Sequence, residues 1–341
     1  MPSASYPVPF SLGRFSIAGA PPFVGVVVGE RVVAAHALAA RWRKHGHKLT
    51  APATVFELLQ DWDDALAAIA SAIATQGSVD ESLPWTPVSA LSVHAPLPDP
   101  GTIYCSGANY KKHVIDIILA GGGEPGTEHM SREELRAHGT KMMEERAARG
   151  KPFVFFKSKS TIIGPHDTVV LPKDVIKPDW ELELGVVIGK PARRVSRAEA
   201  LDVVGGYVIV NDITSRELVN RPDIPQMGMD WMASKSSPTY MPQGPYVVPA
   251  AFVSNPQDLT ITLKLNGQTM QHESTADMIF DVAWLIEFIS AHVQLLPGDL
   301  IATGSPAGNG IHHGRLLRAG DVMECTITGL GEQRNPCIAE E

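Results

Sequence analysis

Two carboxylates stand two positions apart inside an otherwise apolar run, Trp180-Glu181-Leu182-Glu183-Leu184-Gly185-Val186-Val187-Ile188. The run reads as a buried strand. Strand side chains alternate faces, so Glu181 and Glu183 point one way while Leu182 and Leu184 point the other. At roughly 3.3 Å per residue the two Cα atoms lie about 6.6 Å apart, and side chains of that length can converge on one ion. Like charges beside apolar residues are costly unless something positive lies between them. A divalent cation that favours oxygen ligands, Mg²⁺, Mn²⁺ or Ca²⁺, meets that need. Taken by itself the pair also fits a half-exposed strand with a polar face. A third carboxylate is placed to join it. Tyr207-Val208-Ile209-Val210 is continuously apolar and delivers Asn211 and Asp212 at its end, where Asn-Asp is also ordinary turn chemistry.

A second set of residues suits proton transfer. Asn109 is placed to cap a helix carrying Tyr110, His113 and Asp116. His113 and Asp116 are three apart and share a helical face, the spacing of a carboxylate that orients and charges a general base. The same spacing fits a solvated surface pair. Gly121-Gly122-Gly123 ends this helix and makes a natural hinge, so the Asn109–Leu119 segment is expected to act as a lid. Lys235 lies in Trp231–Thr239, a stretch rich in turn formers that is expected to be irregular, where a solvated loop lysine is the plainer reading.

These residues need a scaffold, and the chain has the means to build one. Its 341 residues are 44% hydrophobic and 19% charged, enough to bury a sizeable core. A formal charge of -8 and a pI near 5.8 argue against a nucleic-acid or polybasic membrane surface. Cys105, Cys325 and Cys337 have no metal-type spacing, and so sparse a set suits a reducing cytoplasm. No signal peptide or membrane span is evident, so the expectation is a soluble cytoplasmic protein.

The N-terminal part reads as a small α+β unit over 1–98, closed by the proline-rich Pro96-Leu97-Pro98-Asp99-Pro100. It begins with a hairpin, Val24–Val28 and Val32–Ala35. A helix follows, capped by Thr54 and Glu57, with Leu58, Leu59, Trp62, Leu66, Ile69 and Ile73 at helical spacing. The Lys44-His45-Gly46-His47-Lys48 cluster reads as a solvated basic loop. The remainder, 99–341, reads as one unit carrying an exposed insertion around 120–150, whose helix is capped by Ser131 and Glu134. Ser196 and Glu199 are expected to cap a short helix stopped by Gly205-Gly206. Asn266-Gly267 signals a hairpin, and a helix is expected over Asp281–His292.

Several separated stretches, in order, resemble the fumarylacetoacetate hydrolase family over about residues 100–336. They are Ser106-Gly107-Ala108-Asn109-Tyr110-Lys111-Lys112-His113, the Glu181/Glu183 strand, Asn211-Asp212-Ile213-Thr214-Ser215-Arg216, Ser234-Lys235-Ser236, Gln243-Gly244-Pro245 and Pro297–Pro306. The resemblance implies an α+β, mainly β fold, a mixed β-sandwich roll with a small N-terminal α+β domain, assembled as a homodimer. It implies that Glu181, Glu183 and Asp212 bind Mg²⁺ or Mn²⁺ and that His113 is the base. It further implies that Lys235 and Arg216 face developing negative charge, and that Tyr110, Thr303, Gly304 and Ser305 contact substrate, with Thr239 near the metal. The family's metal-dependent members usually carry glutamate where Asp116 stands, and Thr-Gly-Thr where this chain has Thr303-Gly304-Ser305.

The implied chemistry is hydrolysis of a C–C bond in an acylpyruvate-like or other diketo acid. Water deprotonated by His113 attacks one carbonyl, and an enolate leaves whose charge the ion stabilises. Decarboxylation, hydration or tautomerisation of a 2-oxo acid would use the same site. A non-catalytic metal-binding scaffold is the alternative of a different class.

Overall fold

The computed structural model describes residues 6–44, 46–47, 51–121 and 126–341. His45 and Lys48 of the basic cluster, and Gly122 and Gly123 of the glycine run, lie outside the described residues.

The strand that holds Glu183 is the hub of a six-stranded mixed sheet. Leu182–Ile188 pairs antiparallel with Val204–Asn211 on one side and with Leu300–Ala302 on the other. Ile103–Gly107 runs parallel to Leu300–Ala302, and Phe153–Lys157 and Val248–Pro249 form the edges. All seven residues of Leu182–Ile188 are buried, which explains a nearly unbroken apolar sequence where a one-faced strand would alternate.

Each face of this sheet has its own cover. Leu182, Leu184, Val186 and Ile188 pack with Ile261, Leu263, Met323 and Cys325 of a second, five-stranded sheet and with Leu285, Ile286 and Ile289 of the Val282–His292 helix. Val187, Val208, Val210 and Cys105 pack the other way, into a core continuous with N-terminal Leu12, Val26, Leu58 and Trp62. The chain mixes helix and sheet, with more strand than helix. No helix among the described residues is long and apolar enough to cross a membrane. The three cysteines are buried and free.

Many expected elements are present. The Asn266-Gly267 hairpin joins Thr260–Leu265 to Gln268–Ser274 with both turn residues at positive φ, 52° and 81°. Ser131 and Glu134 form a reciprocal capping box on the Arg132–Arg149 helix. The N-terminal hairpin, Phe23–Val28 with Arg31–Ala34, sits in a five-stranded sheet. That sheet also recruits Ser11–Ser16, whose composition carries no strand alternation.

Other expectations are corrected. The helix after Thr54 is broken into Val55–Leu59 and Trp62–Ile73, although Leu58, Leu59, Trp62, Leu66, Ile69 and Ile73 are all buried. Ser196 and Glu199 do pair, but they precede only a 3-10 turn, Ala200–Val203. Gly205 and Gly206 stop no helix and belong to the Val204–Asn211 strand. They are glycines because of close backbone approach: a Cβ on Gly205 would stand 3.0 Å from the Gly189 Cα, and one on Gly206 would stand 2.5 Å from the Val248 carbonyl oxygen. Trp231–Lys235 is a single helical turn, capped by the Asp230 carboxylate accepting from the Ala233 N–H at 2.9 Å, within a segment expected to be irregular. Asn109 does not cap its helix. Its side chain is consumed by the Phe280 backbone and by the Thr303 carbonyl. The insertion is exposed on one face only, because Leu135, Gly139 and Met143 are buried. Gly139 lets the helix approach Lys111–Gly121 until an added Cβ would touch Ile118 and Ile115 at 3.4 and 3.5 Å.

Because Gly206 faces rigid backbone, Gly206→Ala must push the Val248–Pro249 strand away. The substitution is expected to cost about 1–3 kcal/mol in denaturant unfolding. An unchanged midpoint would show that this edge yields freely.

Candidate active site

Glu183 is the second residue of the central strand, and Glu181 immediately precedes that strand, on the same face as Glu183. The strand end is locked to its neighbour by two contacts. The Glu181 N–H donates to the Asn211 side-chain oxygen at 2.9 Å, and the Asp212 N–H donates to the Glu181 carbonyl at 2.8 Å. Asp212 is thereby carried beside the pair. Glu181, Glu183 and Asp212, all buried, each offer a carboxylate oxygen within 4.8 Å of the other two.

Three cations answer these charges. Lys235 Nζ donates to Glu181 Oε2 at 2.5 Å and to Asp212 Oδ2 at 2.6 Å. Lys157 Nζ, fully buried, donates to Asp212 Oδ1 at 2.6 Å. Arg216 contacts Glu181 Oε1 at 2.5 Å and donates from Nε to Asp179 Oδ2 at 2.9 Å. Asp179 in turn accepts from the Gly310 and Ile311 N–H groups at 2.6 and 3.2 Å.

The electrostatics follow from burial and these partners. Burial alone would raise Glu181, but Arg216 and Lys235 outweigh it and hold the carboxyl at about 2. Burial would likewise lower Lys235, yet Asp212 and Glu181 keep its amine above the ordinary range. Glu183 goes the other way. Burial, then the charges of Asp212 and Glu181, push it well above the usual carboxylate range despite Lys235 and the Gly304 N–H. Burial drives His113 down to about 3, so its imidazole is neutral near neutral pH.

These groups meet at one cavity of about 250 Å³. His113, Glu181, Glu183, Asp212, Arg216, Lys235 and Ser305 line it on the polar side, and Ile117, Phe155, Val219, Met229 and Trp231 on the apolar side. Phe155 and Trp231 stack there with ring centroids 4.5 Å apart. The donor set suits a divalent cation: three buried carboxylates converge, and the repulsion among them falls on Glu183, the residue without a direct cation partner among the described contacts.

Other expected site residues are placed differently. His113 does not pair with Asp116. Its Nδ1 hydrogen-bonds His312 Nε2 at 3.2 Å, and the Asp116 charge acts on His312 instead. Tyr110 is fully buried in the core. Thr303 donates from its hydroxyl to the Leu184 carbonyl, and the Gly304 N–H donates to Glu183 Oε2 at 2.6 Å, so these two brace the strand end. Thr239 is drawn away, its hydroxyl accepting from the Val170 N–H at 2.9 Å. Asp179, Lys157 and His312 were missed. Asp179 stands two before Glu181 in the same alternation, a signal available in the sequence. Lys157 directly follows the apolar Phe153–Phe156 run.

Fold and site together define a mixed-sheet protein with a buried acid cluster at a cavity of small-molecule size. Residues 102–338 match the sequence model of the fumarylacetoacetate (FAA) hydrolase C-terminal domain. The chain belongs to the fumarylacetoacetate hydrolase family. Among curated relatives, a 2,4-didehydro-3-deoxy-L-rhamnonate hydrolase of Sphingomonas sp. (strain SKA58) is 47% identical over 189 residues, covering 54% of this chain and 64% of that protein. The match therefore spans just under two thirds of the relative's length. A mitochondrial oxaloacetate tautomerase of Bos taurus is 31% identical over 284 residues, 83% of this chain and 79% of the relative. Among solved structures, the maleylpyruvate hydrolase of Sphingobium sp. SYK-6, in complex with manganese (II) ion and pyruvate, is similar at a TM-score of 0.69 with 26% identity. That similarity covers 97% of this chain and 100% of the other.

Glu183→Gln keeps an acceptor for the Gly304 N–H and removes one ligand charge. It is expected to weaken Mn²⁺ binding in calorimetry on the order of 10²-fold while unfolding like the wild type. Asp212→Ala should also lose the ion, but it strands Lys157 and Lys235 and should cost about 3–5 kcal/mol of stability. Unchanged Mn²⁺ affinity in Glu183→Gln would refute this ligand set.

Proposed function

We propose that the chain is a divalent-metal-dependent hydrolase that cleaves a C–C bond of an acylpyruvate-like or related diketo acid. One observation carries the reading: a neutral histidine, two cationic side chains and a convergent carboxylate triad line a single cavity. Glu181, Glu183 and Asp212 would hold Mg²⁺ or Mn²⁺, with Ca²⁺ sharing the same ligand chemistry. The bound ion supplies Lewis-acid stabilisation of charge on the substrate's chelating oxygens.

The chain's own residues do the rest. Neutral His113 takes a proton from water, whose oxygen attacks the acyl carbonyl, a role typically worth about 10²- to 10⁴-fold. The C–C bond then breaks. Its electron pair goes to the methylene carbon of the departing 2-oxo acid as an enolate, which recovers a proton from the His113 imidazolium. The products are a carboxylic acid and the shortened 2-oxo acid. Arg216 and Lys235 face the cavity with their positive charge and oppose the developing oxyanion, and losing one such group costs about 3 kcal/mol. Four carboxylates, including Asp179, face three cations here, so one added dication turns the local balance positive and favours an anionic substrate.

A second reading, tautomerisation of a 2-oxo acid, is favoured by the oxaloacetate tautomerase match over 83% of this chain. It needs the same base and no water. Homodimeric assembly and a place in aromatic catabolism are proposed through the family resemblance, and a cytoplasmic location through the sparse cysteines and the sequence composition.

Purified protein given acylpyruvates with Mg²⁺ or Mn²⁺ is expected to release pyruvate, to stop on chelation and to resume on adding the ion back. His113→Ala should abolish turnover yet keep Mn²⁺ binding. Enol–keto conversion of oxaloacetate without C–C cleavage would select the tautomerase. No turnover of any oxo or diketo acid would select a non-catalytic scaffold.

A further inference from the structure

His312 is absent from every site motif in the sequence, yet it holds the ring on which proton transfer is proposed to depend. His312 Nε2 and His113 Nδ1 lie 3.2 Å apart, and the rings meet edge to face with centroids 5.2 Å apart at 84°. Two neutral imidazoles can share one hydrogen bond in only two ways. If His312 donates, His113 must carry its own proton on Nε2, and neither of its nitrogens is free to accept another. If His312 accepts, His113 is protonated at Nδ1 and its Nε2 is left with a free lone pair. Only the second arrangement makes His113 a base.

We propose that His312 is a positioning residue that accepts the Nδ1–H of His113, fixing the ring's orientation and the tautomer whose Nε2 can take a proton in the cavity. The proposal rests on the reading of His113 as the base. The mounting of His312 supports it. It sits in the single turn Gly310–His313, and that turn is pinned to Asp179 and Trp180, just ahead of the strand bearing Glu183. The Gly310 and Ile311 N–H groups donate to Asp179, and the Asn309 side chain donates to the Trp180 carbonyl at 2.8 Å. The Lys111–Gly121 helix and the Gly310–His313 turn thus meet through one ring pair.

When His312 accepts through Nε2, its own proton lies on Nδ1, a buried atom with no hydrogen-bond partner among the described residues. Asp116 on the facing helix supplies negative charge to this ring, as does Asp179, while Arg216 and His313 oppose them. The facing charges on His113 itself are Glu181, Arg216 and Lys235.

The test uses the full-length protein with ¹⁵N-labelled histidine, His113 being assigned by its loss in His113→Ala. Two-bond nitrogen–proton spectra of the metal-free wild type should show His113 protonated at Nδ1 and bare at Nε2. His312→Phe keeps an aromatic edge but offers no acceptor. It should move His113 toward the Nε2-protonated form and lower kcat roughly 10- to 100-fold with KM little changed. His312→Gln, whose amide oxygen accepts, should restore the tautomer and much of kcat. A wild-type His113 protonated at Nε2 would overturn the proposal, as would wild-type kcat in His312→Phe or a His312→Gln no better than His312→Phe. The spectra need no substrate, so they decide the proposal even if no oxo acid is turned over, a result that would count against the hydrolase reading instead.

Discussion

The structure depends on keeping three carboxylates out of water at the end of two paired strands. Isolated, each would cost several kcal/mol to bury in the charged state. The fold answers with three cations from three different segments: Lys157 at the end of an edge strand, Arg216 just past the second strand, and Lys235 on a capped helical turn. Each is committed by charge-assisted hydrogen bonds, so the segments that bear them are fixed by the acids they neutralise. The compensation is uneven. Glu181 and Asp212 are directly met, whereas Glu183 is met by a backbone N–H and carries the residual repulsion. That imbalance suits the cluster to hold a cation, which a fully compensated ion-pair network would not need.

The same geometry explains why a neutral imidazole can sit beside so many charges. His113 lies on a helix whose other face is covered by the Arg132–Arg149 helix, and burial keeps its ring neutral although Glu181 favours the charged form. The insertion helix therefore braces the element that carries His113. Its Arg146 reaches across to the Ala108 carbonyl at 2.5 Å and lies over the Phe280 ring, tying the start of that helix to the body of the protein.

The acid cluster was legible because strand alternation is a strong local rule: two glutamates with period 2 in an apolar run must share a face. Asp212 followed from a strand end, and the residues matched through the family resemblance reached the cavity in the cases of His113, Arg216, Lys235 and Ser305. What the sequence concealed depends on long-range contact. Helical spacing placed Asp116 near His113, but it could not show that a histidine 199 positions away would take the ring nitrogen first. The glycines at 205 and 206 look like a helix stop, and only the approach of Gly189 and Val248 makes them strand residues. Thr303 and Gly304 carry site-like types and are held at the strand end, the Thr303 hydroxyl by the Leu184 carbonyl and the Gly304 N–H by the Glu183 carboxylate.

Glu181, Glu183 and Asp212 are proposed to share one divalent cation. Crystals grown with Mn²⁺ and read at its anomalous edge test this most directly. A single strong peak is expected, with oxygens from all three carboxylates at about 2.0–2.6 Å. A peak that misses Glu183, or no peak at this cluster in protein that turns over a diketo acid, would contradict it.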